Sequence, residues 1–156
     1  MTELARAVNA FNRLSSHLGY EVSPPYMREI KNYDFGRGIT IEQPAFWEQY
    51  GAMLRISNGL CADGYTFYGI AVGDEPGLFE FNEALNIPGF ESECMQYRIE
   101  VGSNNMDTLY YDTRTRKWEA CDRIGTDHVW ASCDSLAQLI QTQVDMLRES
   151  WANEEI

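Results

Sequence analysis

The chain has 156 residues, 44% of them hydrophobic and 13% aromatic, enough apolar material for one domain over residues 1–156 without disulfide staples. Twelve Lys and Arg face 24 Asp and Glu, a formal charge of −12 with a pI near 4.5. A field of that sign repels phosphate backbones and anionic lipid, which argues against nucleic acid and membranes as partners and for a basic protein.

Taken in chain order, Thr2 to Gly19 reads as an amphipathic helix with Leu4, Val8, Phe11, Leu14 and Leu18 on one stripe and Gly19 as terminator. Ser23-Pro24-Pro25 signals an N-cap with Pro in the first turn and predicts a short helix through Ile30. Loop follows to Glu42, and Pro44 opens a helix over 44–57, whose apolar face holds Phe46, Trp47, Tyr50, Met53 and Leu54 and whose stop is Asn58-Gly59. Strand signals then take over at Tyr65–Val72, Tyr97–Val101, Thr108–Asp112, Lys117–Cys121 and His128–Ala131, with a hairpin turn at Thr113 to Arg116. Ser132 or Ser135, the latter with Gln138 three residues on, starts a closing helix, taken over 135–150, with Leu136, Leu139, Ile140, Val144, Leu147 and Trp151 on one face. Helices, a meander of strands, then a helix describe an α+β fold: an antiparallel sheet of about five or six strands with helices packed at both ends. Trp47, Tyr50, Leu54, Tyr68, Leu139 and Ile140 are expected in its core.

The charge is unevenly spread. Residues 1–42 are balanced, whereas residues 43–100 hold nine acids against Arg55 and Arg98. Residues 73–96 carry Asp74, Glu75, Glu80, Glu83, Glu91 and Glu93 with no Lys or Arg, and Gly and Pro make the stretch largely loop or short helix. An acidic loop on a rigid sheet is a natural contact surface. With Phe79, Phe81 and Phe90 interleaved, the candidate partner-binding residues are Asp74, Glu75, Phe79, Glu80, Glu83, Phe90, Glu91 and Glu93. The same aromatics equally suit pinning a long loop onto the core.

Catalytic chemistry finds little support. His128 with Cys121, Cys133 and Asp127 is the best nucleophile–base grouping that can be assembled, and no G-x-S-x-G elbow or G-K-[ST] phosphate loop occurs. Cys61, Cys94, Cys121 and Cys133 form no C-x-x-C pair, and the two His, His17 and His128, lie far apart. The expectation is a non-enzyme without metal or cofactor, its thiols reduced in the cytoplasm. Charged residues through the first twenty positions argue against a signal peptide, and no apolar run nears the ~18 residues of a membrane span.

Trp47-x-x-Tyr50, then Leu54-Arg55-Ile56-Ser57-Asn58-Gly59-Leu60, then Gly64 and Phe67-Tyr68-Gly69-Ile70 resemble the SUKH superfamily, in its YrhA-type branch. The likeness continues through Ile99-x-Val101-Gly102, Asp107, Tyr110-Tyr111-Asp112 and the closing helix, covering about residues 44 to 148. Residues 1–42 match no part of the pattern. Much of the motif has a purely structural use: Gly59 and Gly69 permit backbone conformations and close approaches, while Trp47 and Tyr50 bury aromatic area. The resemblance implies an immunity protein that neutralises a cognate toxin domain, in some cases a basic nuclease, by direct binding. A eukaryotic branch of the superfamily implies the alternative of an interaction hub or adaptor. Neither role needs a catalytic residue.

Overall fold

The computed structural model describes residues 1–30, 33–86 and 93–154. Helix α1 (Glu3–His17) begins at Thr2, whose hydroxyl accepts the Ala5 N–H at 3.0 Å, and ends where Gly19 turns to φ 90°. Helix α2 (Pro44–Leu54) starts on its proline, α3 (Leu78–Ala84) is short, and α4 (Leu136–Glu154) closes the described chain. Six strands, β1 (Leu60–Ala62), β2 (Tyr65–Phe67), β3 (Arg98–Ser103), β4 (Asp107–Asp112), β5 (Lys117–Asp122) and β6 (Val129–Cys133), form one antiparallel meander in sequence order. The expected α+β architecture is therefore present. Among the described residues no helix is long and apolar enough to cross a membrane.

Alternation along the strands divides the sheet into two faces. Ile99, Tyr111, Trp118 and Cys133 stand opposite one another in register on the face that meets the helices. There Phe46 and Tyr50 of α2 lie parallel to the Trp118 ring at 5.6 and 6.3 Å, while α4 supplies Leu136, Leu139, Ile140, Val144 and Leu147, all buried. Helix α1 packs against α4 and β1 and contributes Ala7, Val8 and Phe11 to the core. The expected core residues are buried, except Trp47, which is half-buried against the cluster.

Three local expectations need correction. Ser23 to Ile30 forms no helix, because its backbone groups serve the end of α2. The Tyr26 N–H donates to Leu54 O at 2.8 Å, Asn58 N–H donates to Pro24 O at 2.9 Å, and Arg55 Nη1 donates to the carbonyls of Tyr26 and Arg28. Carbonyls at a helix C-terminus lack intrahelical donors, and this extended segment supplies one. Second, α2 stops at Leu54, before Asn58-Gly59; Gly59, at φ 89°, instead turns the chain into β1. Third, the strand expected over Tyr65–Val72 ends at Phe67. Beyond it the Asn58 side chain takes a strand's place, accepting the Ile70 N–H at 2.7 Å and donating to Ile70 O at 2.9 Å. Gly69 is required there, since a Cβ would lie 2.4 Å from Asn58 O.

Candidate functional site

The face of the sheet turned away from the main helices is built from polar residues. Glu100, Tyr110, Glu119 and Ser132 stand side by side across β3 to β6. Tyr110 Oη donates to Glu119 Oε1 at 3.0 Å, Ser132 Oγ donates to Glu119 Oε2 at 2.6 Å, and the buried Arg98 guanidinium lies 4.1 Å over the Tyr110 ring. Burial pushes the Tyr110 phenol far above its ordinary range, which leaves it a neutral donor.

Helix α3 completes this face at the open edge of β3, where β2 pairs only with Gly102 and Ser103. Asn82, fully buried, accepts the Glu100 N–H at 2.9 Å and donates to Glu100 O at 2.8 Å, so one side chain does the work of an absent strand. Arg37 braces the arrangement, donating to Asn82 O, Asn82 Oδ1 and Arg98 O at 2.9, 3.1 and 3.0 Å. The aromatics of α3 turn inward. Phe79 stacks on Tyr33 at 4.3 Å and Phe81 on Tyr68 at 4.1 Å, fixing the helix to the body.

What α3 and the turn before it leave outside is charge. Asp74, Glu75, Glu80 and Glu83 are all exposed. Glu80 also has a structural duty, accepting the Gly77 N–H at 2.8 Å at the start of the helix, and Glu83 accepts a long 3.4 Å bond from Tyr33 Oη. Phe90 and Glu91 lie outside the described residues, as does the side chain of Glu93.

Beside these acids runs a groove of about 490 Å³, lined among others by Tyr68, Glu75, Phe81, Glu100 and Arg123. Glu75 and Glu100 are the carboxylates that line it. Tyr68 Oη donates to Glu100 Oε2 at 3.0 Å, and among the described residues no cation lies within 4 Å of it. Burial raises the Glu100 pKa above the ordinary carboxylate range, against the lowering effects of the Tyr68 bond and of Arg123 and Arg37. A desolvated carboxylate with no cation within 4 Å can accept a cationic side chain where their attraction and added hydrogen bonds offset the desolvation of both charges. A second hollow of about 500 Å³ lies between Ile30 and α2, lined by Trp47 and Arg55. Its Arg55 already serves the Tyr26 and Arg28 carbonyls.

The residues grouped as a nucleophile and base are not brought together as a triad. His128 is exposed, and its Nδ1 lies 2.6 Å from Asp122 Oδ2, an aspartate outside the expected set. Cys121 is buried, its thiol pushed up to about 11, with its sulfur 3.7 Å from Arg98 Nη1. Among the described residues no three His, Cys, Asp or Glu side chains gather as metal ligands would.

Glu100, Tyr68 and Arg123 were not candidate site residues from the sequence. Glu100 had a signal, an acid within an alternating strand segment, but only the fold shows that it faces a groove. Comparison with family models, curated proteins and solved structures finds no match for this chain.

Proposed function

We propose that this protein acts by binding another protein: an immunity protein of SUKH type that neutralises a cognate toxin domain whose contact face is basic. The observation that carries the reading is the groove at Glu100, a desolvated carboxylate without an ion pair among the described residues, beside the exposed acids Asp74, Glu75, Glu80 and Glu83. The acids attract and orient a cationic surface from a distance, and Glu100 receives one of its Lys or Arg side chains at contact. The motif from Trp47 to Ile70 supports the same reading through its resemblance to the superfamily.

The test is co-expression with the product of the neighbouring gene, followed by purification and a growth assay. The expected result is a stable complex that rescues growth, with Kd at about 1 nM or below, since free toxin would be lethal. Its association rate should fall steeply between low and physiological salt, as screening removes the steering field. A neighbour that is toxic but not bound overturns the reading. A bound neighbour without toxicity makes the protein an adaptor of the same fold.

A further inference from the structure

Attraction by acids needs an apolar grip, and Phe79 and Phe81, half-buried and stacked on Tyr33 and Tyr68, offer only part of their rings for one. A larger exposed apolar patch lies at the end of the sheet where the β3–β4 turn meets the β5–β6 loop. Met106 is 76% exposed, Ile124 is fully exposed and Trp130 is 41% exposed. Met106 forms a ridge between two hollows, one of about 360 Å³ shared with Tyr65, Trp130 and Met146, the other of about 510 Å³ shared with Arg123 and Ile124.

These side chains stand on rigid backbone. Asn104, buried, accepts the N–H groups of Met106 and Asp107 at 2.9 Å each and donates to the buried Gln143 at 2.8 Å, which ties the turn to α4. Arg123 N–H donates to Met106 O at 3.0 Å and its guanidinium reaches Asn104 O at 3.3 Å, locking the two turns together. Trp130 is the extra residue of a bulge, since Ala131 opposes Ala120 while Val129 opposes Cys121. A bulge re-aims a side chain, and here the indole comes to line the hollow beside Met106. Exposed Met and Trp held this way bind with little further ordering cost.

Charge decides what covers them. A second copy would bring another −12 to a surface already flanked by Asp122 and Asp127, whereas a cationic partner gains on approach. Arg123 lines both this end and the Glu100 groove, so the two surfaces are continuous. We propose that Met106, Ile124 and Trp130 are the apolar anchor for a basic protein partner, whose own apolar side chain docks against Met106 with Lys or Arg around it. This rests on the reading that the partner is a basic protein and adds where it is gripped.

The experiment titrates the full, isotope-labelled chain with a short amphipathic peptide of leucine and lysine, beside oligolysine and a leucine–glutamate peptide. The leucine–lysine peptide should shift the amides of Met106 and Ile124 and the Trp130 indole; oligolysine should shift only the acidic rim, and the leucine–glutamate peptide neither. Met106→Ser with Ile124→Ser should weaken the leucine–lysine peptide by about tenfold or more while unfolding stays unchanged, because both side chains are exposed. Shifts confined to residues 74–83, no shift at Met106, or an undiminished affinity in the double variant overturns the proposal. So does a concentration-dependent dimer that Ile124→Ser abolishes, which would make a second copy the occupant. Growth protection separates this from the immunity reading. Full protection by the double variant overturns the anchor alone, whereas peptide binding here without protection from the neighbouring toxin overturns the immunity reading alone.

Discussion

Replacing Asn82 by Ala tests the way α3 is attached to the sheet. The side chain is fully buried and is the recorded partner of both the N–H and C=O of Glu100, at 2.9 and 2.8 Å. Alanine strands both groups at an edge of the sheet that β2 does not reach. Each buried backbone group left unsatisfied costs roughly 1–3 kcal/mol, so the variant should lose about 2–6 kcal/mol. Arg37 does not rescue them, because its remaining bonds run to the Asn82 and Arg98 carbonyls. For a chain of this length each kcal/mol moves Tm by about 2–4 °C, so thermal unfolding should show a fall of roughly 4–24 °C. Amide exchange at Glu100 should accelerate selectively, and Asn82→Leu, which restores volume without the bonds, should not recover the loss. A Tm within about 2 °C of the parent, with the Glu100 amide still protected, would refute the idea that one side chain stands in for a strand.

Three further outcomes follow from the site. Asp74→Lys with Glu75→Lys should slow toxin association by about tenfold at low salt and far less at high salt, with Tm unchanged, measured by stopped flow and calorimetry. Glu80→Lys should instead also lower Tm, because it removes the acceptor of the Gly77 N–H at the helix start, worth about 0.5–2 kcal/mol. Glu100→Gln should raise Tm at neutral pH, since a carboxylate whose folded pKa is raised destabilises the fold above that pKa. The difference should close as pH falls through the folded pKa towards the ordinary carboxylate value, and a glutamine variant less stable at pH 7 would contradict it. Tyr68 can still donate to the glutamine carbonyl, so the variant isolates the charge.

Much of the architecture was legible because it depends on near neighbours in the chain. The switch from a 3.6-residue to a 2-residue period separates α2 from the meander. Ser135 caps α4 as its spacing with Gln138 suggests, accepting the Gln138 N–H at 3.2 Å. The four-residue turn after β4 is held by Asp112 accepting the Arg114 N–H at 2.9 Å. Strand β1 had a signal that went unused: Asp63-Gly64, both at positive φ, is a two-residue hairpin turn pairing Ala62 with Tyr65. The acidity of residues 74–83, and the exposure of Asp74, Glu75, Glu80 and Glu83, likewise follow from composition.

What sequence alone could not decide was set by groups far apart in the chain. Ser23 to Ile30 has helix-start chemistry, yet the unfilled carbonyls at the end of α2 hold it extended. Asn58 and Asn82 each replace a strand, and nothing local to an asparagine says that its amide will lie beside Ile70 or Glu100. The direction of apolar side chains was equally hidden. Phe79 and Phe81 turn inward because Tyr33 and Tyr68 offer ring faces, while Met106, Ile124 and Trp130 stay outside because Asn104, Arg123 and a bulge fix their backbone. Periodicity records which residues are apolar and how often; a buried polar group takes whichever partner the folded chain places within about 3 Å, and that choice belongs to the tertiary structure.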